Sequence, residues 1–170
     1  AVIEKKRELF RGIIAEKGLA TYSTTVALIV KLFNQGLNLA VASSSDTTPF
    51  ILNKAGLVKF FTAIITGKDV GAGKPYPEPF LLAAARMGLR YEECIVFEDT
   101  RDGVAAAKNG GFLVVGIDRF ASGLLGQADL VVSDLVRVNY KKLENLFDST
   151  RNHPEAPVLI YTKKAPFTET

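Results

Sequence analysis

Cysteine, histidine and tryptophan are nearly absent from this sequence of 170 residues, which has one cysteine, one histidine and no tryptophan. A single thiol, Cys94, excludes a disulfide within the chain, so we expect a buried free thiol and a reducing compartment. The one histidine, His153, lies in a polar stretch, and we expect it to be an incidental surface residue.

Long apolar runs and a concentrated basic stripe are absent too. No stretch approaches the roughly 20 apolar residues that a membrane helix needs, and the charged first residues are unlike a signal peptide. With 21 basic and 18 acidic residues the net charge is only +3. We therefore expect a cytoplasmic protein whose partners are neither nucleic acid nor a membrane. An apolar share of 48% in a chain of this length suits one globular domain with a sizeable core.

The sequence does contain short apolar runs that alternate with helical patterns. These predict strands over residues 37–42, 63–66, 94–97, 112–117 and 130–132, and helices over residues 3–17, 24–35, 48–55, 78–87, 101–109 and 140–147. Ser23 or Thr24 is expected to cap the second helix. Because the strands are continuous apolar runs, the pattern predicts an α/β fold with a mainly parallel sheet covered on both faces.

Three polar clusters lie at the carboxyl ends of predicted strands, where parallel α/β sheets bind ligands. They are Ser43-Ser44-Ser45, Lys74-Pro75 and Glu98-Asp99. The Ser43 hydroxyl and the backbone N–H groups after it suit a phosphate oxygen, although serine is also a common helix cap. Lys74 offers a point charge to a phosphoryl group, with an ordinary surface lysine as the alternative.

The acidic pair Glu98-Asp99 directly follows a buried apolar run. Adjacent carboxylates repel each other unless a cation lies between them. Mg²⁺ prefers oxygen ligands and often uses one or two carboxylates, so the pair predicts a magnesium site. Asp102, one helical turn further on, either caps the next helix or faces solvent.

The order and spacing of the clusters resemble those of the haloacid dehalogenase-like hydrolase superfamily, most closely its sugar-phosphate branch, the β-phosphoglucomutase-like proteins. The matching stretches are residues 39–50, 73–80 and 95–110, within a resemblance that covers residues 20–147. A phosphate-accepting signalling receiver also uses a Ser or Thr and a Lys-Pro. Its acidic residues precede the Lys-Pro, however, whereas Glu98-Asp99 follow it.

The resemblance implies a Rossmann-like three-layer core that acts as a Mg²⁺-dependent phosphatase or phosphomutase on a small phosphorylated metabolite, such as a sugar phosphate. By resemblance, Ser43 binds the transferring phosphoryl group and Lys74 stabilises an aspartyl-phosphate intermediate. Glu98 and Asp99 are implied to hold Mg²⁺. The substrate-binding residues implied are Ser43, Ser44, Ser45, Thr47 and Lys74.

Two of these positions, Ser45 and Thr47, match those that contact a second phosphate in the sugar-phosphate branch. Between them, Asp46 is acidic where that branch can be basic. The resemblance therefore leaves the identity of the substrate open.

The sequence departs from the family in one decisive respect, because it contains no Asp-x-Asp. In the family this motif ends the first strand and provides the nucleophile and the acid/base. In the family a helical cap closes the site and recognises the substrate, and most of this cap is also missing. Residues 1–20 resemble the end of the cap and residues 21–147 resemble the α/β core. Residues 148–170 are interpreted as a linker and C-terminal extension. Without a nucleophile there is no covalent route, so we predict negligible activity for this chain alone. The alternative is a non-catalytic derivative that binds a phosphorylated ligand or a partner.

In the family the missing strand is central, between the strands that end here at Ala42 and Phe97. Losing it forfeits on the order of 8–15 kcal/mol of apolar burial, which rivals the stability of a whole domain. We therefore predict that Val158–Tyr161 fills the slot. Residues 162–164 would then take the place of Asp-x-Asp, with Lys164 supplying positive charge to the acidic pair. The alternatives are a strand from another chain or a different sheet order.

Overall fold

The computed structural model describes residues 2–150 and 158–161, which form six α-helices and six β-strands. The helices are α1 (Val2–Lys17), α2 (Ser23–Asn34), α3 (Thr48–Lys54), α4 (Glu78–Arg86), α5 (Arg101–Asn109) and α6 (Tyr140–Thr150). The strands are β1 (Leu39–Ala42), β2 (Ala63–Ile65), β3 (Cys94–Glu98), β4 (Leu113–Ile117), β5 (Leu130–Val132) and β6 (Val158–Tyr161). None of these helices is long and apolar enough to cross a membrane.

The strands form one parallel sheet in the order β2-β1-β6-β3-β4-β5. In the central strand, Leu159 pairs with Leu39 of β1 on one side and with Ile95 of β3 on the other. The predicted place of Val158–Tyr161 is confirmed, because this strand of the same chain lies between β1 and β3. Residues 162–164, predicted to follow this strand into the site, lie outside the described residues, as does His153.

Helices cover both faces of the sheet, which explains why its strands are apolar without alternation. Within β1, Leu39 and Val41 pack into a cluster with α2, α3 and α6, whereas Ala40 and Ala42 pack into a second cluster with α4 and α5. All four side chains are at most 4% exposed. The result is the three-layer α/β structure expected from the sequence, and the carboxyl ends of its strands form the edge at which sheets of this kind bind ligands.

Local hydrogen bonds move several element ends away from their predicted positions. β2 ends before Thr66, because the N–H and hydroxyl of Thr66 turn to Asp69 Oδ2, at 2.8 and 2.7 Å. β4 begins at Leu113 and not at Phe112, whose N–H donates to the Ala107 carbonyl at the end of α5 (3.0 Å). Other ends differ by only a few residues, the ordinary margin for such boundaries.

The prediction that Ser23 or Thr24 caps α2 is wrong. The N-cap residue is Tyr22, which makes no side-chain cap hydrogen bond. Thr24 donates instead to Asp134 Oδ2 at 3.1 Å. Its hydroxyl is used for a tertiary contact that ties the start of α2 to a loop following β5.

Candidate phosphate and metal site

The residues that follow β1 and β3 meet at the carboxyl edge of the sheet. Val41 of β1 and Phe97 of β3 both pair with Tyr161 of the intervening strand. Ser43 and Asp99 therefore extend their strands to the same level. Two strand spacings, about 10 Å, separate their backbones. A phosphate group that reached both the hydroxyl of one and the carboxyl of the other would lie near the end of β6.

Glu98, the last residue of β3, is 1% exposed. Its Oε1 accepts a hydrogen bond from Lys74 Nζ. Its Oε2 accepts three more, from the Asp99 N–H (2.9 Å), the Thr100 N–H (2.8 Å) and the Thr100 hydroxyl (2.8 Å). A buried carboxylate needs such compensation for the hydration that it has lost. Glu98 thereby holds both the site lysine and the loop after β3 in place.

Helix α5 passes directly over the Glu98 carboxylate, and only a glycine permits that approach. A Cβ at position 103 would lie 2.0 Å from Glu98 Cδ and 2.2 Å from its oxygens. Real Cβ contacts are never this short, so a side chain there would have to displace the carboxylate or the helix. Gly103 is therefore part of what places Glu98.

Lys74 lies on the loop between β2 and α4, with its side chain 15% exposed. The loop is held by Glu78 at the start of α4, whose carboxylate accepts the N–H groups of Gly71 (2.9 Å) and Ala72 (2.7 Å). These two backbone bonds lower the pKa of the Glu78 carboxyl below its ordinary value. Lys74 is thus a largely buried partner of Glu98 and not an ordinary surface lysine.

The turn after β1 is rich in hydroxyl groups that bond to one another. Ser43 is 7% exposed, and its Oγ accepts the Ser45 N–H at 3.2 Å. The Ser45 and Thr47 hydroxyls share a hydrogen bond of 2.7 Å. The residue before α3 is Thr47, so Ser43 is not the cap of that helix, while Ser44 is exposed. The turn therefore presents an ordered set of hydroxyls and backbone groups at the sheet edge.

Asp99 lies at the mouth of the site, where its residue reaches the surface. Withdrawal of the carboxyl from water, and then the negative charge of Glu98, raise the pKa of Asp99 to about 6, against the opposing charges of Lys74 and Arg119. A bound cation would relieve this repulsion, and Mg²⁺ often takes one or two carboxylates, of which Asp99 is the exposed one here. In residues 2–150 and 158–161 no three His, Cys, Asp or Glu side chains converge on one point. Phosphate and water would therefore have to complete the coordination.

Arg119 is a residue of this edge that the sequence analysis missed. It lies two residues beyond β4, and its side chain is 14% exposed. Its guanidinium lies 4.0 Å from the centroid of the Tyr22 ring, and its Nη2 donates to Thr25 Oγ1 at 3.2 Å. Its charge lowers the pKa of Asp99. The signal for it is present in the sequence, because a polar residue just after an apolar run is the criterion that selects the three clusters.

Thr100 is the second residue that the sequence analysis missed. Besides its two bonds to Glu98, its hydroxyl accepts the Gly103 N–H at 3.1 Å and so caps α5. Asp102, for which the sequence allowed a capping role, is exposed to solvent on the first turn of that helix. One threonine therefore joins the start of α5 to the carboxylate beneath it.

Comparison with known proteins supports this interpretation of the fold and shows the family of the chain. Residues 1–111 match the family model of the haloacid dehalogenase-like hydrolases. The phosphoglycolate phosphatase of Salmonella typhimurium is 32% identical over 119 residues, which cover 68% of this chain and 47% of that protein. The β-phosphoglucomutase of Bacillus subtilis is 32% identical over 130 residues, which cover 76% of this chain and 57% of that protein.

Solved structures with the same fold include a β-phosphoglucomutase from Clostridium difficile, with a TM-score of 0.79 at 21% identity, covering 86% of this chain and 66% of that one. A haloacid dehalogenase-type phosphatase from Thermococcus onnurineus has a TM-score of 0.68 at 29% identity, covering 72% and 58%. The chain spans about half the length of the curated relatives it matches. With more than half of its residues matched by the family model, the chain belongs to the haloacid dehalogenase-like hydrolase family.

Proposed function

We propose that this chain provides the phosphate clamp and the metal ligands of a phosphoryl-transfer site that accepts small phosphorylated sugars or similar metabolites. The observation that carries the proposal is the pairing of Lys74 with buried Glu98 directly beside Asp99, whose pKa is raised to about 6. A cation and an acidic pair at one sheet edge suit the charges of a phosphate group and a divalent metal. Relatives named as phosphatases and phosphomutases support the same chemistry.

Each side chain has a separate task in this proposal. Lys74 faces the negative charge of the phosphoryl oxygens, and Ser43 with the backbone N–H groups after it holds another oxygen. Ser44, Ser45 and Thr47 contact the rest of the ligand. Glu98 and Asp99 would hold Mg²⁺, which when bound neutralises charge on the transferring group.

We further propose that the chain by itself transfers no phosphoryl group at a useful rate. It contains no Asp-x-Asp, and its central slot is occupied by β6. Positioning and charge stabilisation can bind the phosphoryl group, but a covalent route also needs a nucleophile in line with it.

The test measures binding and turnover separately. Inorganic phosphate, with and without Mg²⁺, is titrated into the chain by calorimetry, and phosphate release is followed with glucose 1-phosphate and phosphoglycolate. We expect phosphate binding that Lys74→Met removes, and release no faster than in Asp99→Asn. Release that Asp99→Asn abolishes would refute the proposed inactivity, and failure to bind phosphate would refute the clamp.

A second candidate is a non-catalytic derivative that binds a phosphorylated ligand or a partner protein. The occupied central slot favours it, since β6 stands where the family places its nucleophile strand. The coding sequence upstream distinguishes the two candidates, because an in-frame Asp-x-Asp strand there favours an enzyme. If no Asp-x-Asp strand is encoded there and the chain binds phosphate, the non-catalytic derivative is favoured.

A further inference from the structure

The ammonium group of Lys74 has a second neighbour besides Glu98. Lys74 Nζ lies 4.9 Å from the centroid of the Phe80 ring. A cation within about 6 Å of an aromatic face is attracted by the negative charge of that face. The lysine nitrogen therefore lies near both a carboxylate and a ring, and both groups attract it.

The Phe80 ring is itself held firmly. It lies on α4 and is 0% exposed. Phe112 packs against it with ring centroids 6.0 Å apart and planes at 64°, and Tyr91 packs against Phe112 at 6.1 Å and 66°. Rings in such edge-to-face rows have little freedom to move within a close-packed interior. The face offered to Lys74 is consequently fixed by the core.

We propose that Phe80 is a positioning residue of the phosphate site, through its ring's hold on the Lys74 ammonium. An ammonium has three N–H donors, and one of them is used by Glu98. Attraction to the ring holds the nitrogen without a hydrogen-bond acceptor on that side. The remaining donors are then available to a phosphate oxygen at the sheet edge. This inference rests on the proposed function only where it refers to phosphate.

Glu98 alone does not determine the position of the lysine. Asp99 presents a second carboxylate beside it, and the charge of Lys74 acts on both acids. Without the ring the flexible lysine side chain would exchange between these two carboxylates and solvent. The Phe80 ring favours the arrangement in which Lys74 pairs with Glu98. Because the ring is already fixed in the core, holding the lysine there costs little entropy from the ring itself.

The decisive experiment replaces Phe80 by phenylalanines with one, two and three ring fluorines. The fluorines nearly preserve the shape of the ring but withdraw electron density, so its face becomes less negative. We expect the dissociation constant for inorganic phosphate to rise with each fluorine, by about tenfold over the series. The same series at Phe112, a buried ring of the same row one step further from Lys74, is the control and should leave phosphate affinity unchanged. Equal effects at both positions, or no trend at Phe80, would overturn the proposal.

A second measurement tests the contact without any ligand. Protons above an aromatic face are shielded, so the Cε protons of Lys74 should resonate upfield of their usual position in the NMR spectrum. The shift should vanish in Phe80→Leu and persist in Phe112→Leu. Unshifted Lys74 protons in the parent chain would overturn the proposal. A shifted lysine in a chain that binds no phosphate would instead contradict the proposed function and leave the positioning contact standing.

Discussion

Strand β6 should decide whether this chain folds. It is the central strand of the sheet and pairs with β1 on one side and β3 on the other. Removing it exposes two inner sheet edges, whose residues in β1 and β3 are at most 4% exposed in the intact protein. A chain that ends at Thr150 therefore tests whether β6 holds the two halves of the sheet together.

The size of the loss follows from the pairing. The register gives β6 three residue pairs with β1 and four with β3. If each pair represents one ladder hydrogen bond worth about 1 kcal/mol net, the backbone alone loses roughly 7 kcal/mol. Exposure of the apolar edges adds to this loss. Because domains of this kind are stable by only about 5–15 kcal/mol, we expect the shortened chain to have no cooperative unfolding transition.

The assay is urea unfolding followed by near- and far-ultraviolet circular dichroism. A chain that ends at Tyr161 is the matched control, since it keeps β6 and removes only the residues after it. Within the full chain, Ile160→Pro should destabilise by about 3 kcal/mol or more, because proline cannot donate to the ladder. If the chain ending at Thr150 unfolds with the same midpoint and slope as the full chain, the reasoning is refuted.

Three further predictions concern single residues. Gly103→Ala should weaken phosphate binding and lower the free energy of unfolding by about 2–4 kcal/mol, because the new Cβ would lie 2.0–2.2 Å from the Glu98 carboxylate. Gly12→Ala is the control, since a Cβ at position 12 would have no neighbour within 4 Å. The pKa of Asp69 is lowered to about 2 by hydrogen bonds from a threonine and an arginine. Asp69 should contribute about 1 kcal/mol to the free energy of unfolding, after allowance for screening. This contribution should be present above the unfolded pKa of 3.8 and be lost as the pH falls through about 2, so the stabilities of Asp69→Asn and the parent should converge in acid urea titrations. Mg²⁺ affinity measured by calorimetry should rise with pH through about 6, since Asp99 must lose its proton to bind, and a flat profile would contradict a role for Asp99.

The parts of this protein that were predictable from sequence are those fixed by burial. Continuous apolar runs between helices indicate a parallel sheet, and the sheet is parallel throughout its described strands. The place of Val158–Tyr161 was predictable because the family resemblance puts a missing strand at the centre of the sheet, and leaving that slot empty would cost as much as the domain is worth. The energetic part of both conclusions depends on apolar area, which can be read from residue type without side-chain geometry.

The parts that escaped prediction depend on which way a polar side chain turns. Thr66 ends β2 early because Asp69 is close enough to accept its hydroxyl. Thr24 does not cap α2 because that helix begins one residue earlier, at Ser23, and its hydroxyl donates to Asp134, 110 residues away. Arg119 follows an apolar run and is noticeable for that reason, but its contact with Thr25 exists only after α2 and β4 have packed. The contacts of Thr24 and Arg119 join distant segments, and local sequence patterns do not predict which partners such side chains find.

The slot between β1 and β3 admits one strand, and this constrains every interpretation of the site. A nucleophile strand supplied by any other segment would have to displace β6. Since an incoming strand could remake the same ladder, the backbone terms would nearly cancel. Side-chain packing and chain connection would then decide the outcome. Only seven residues of the sequence, 151–157, separate α6 from β6, so β6 competes at the high effective concentration that a short connection gives. A complete phosphoryl-transfer site on this scaffold therefore requires either the release of β6 or a nucleophile that reaches the edge from outside the sheet.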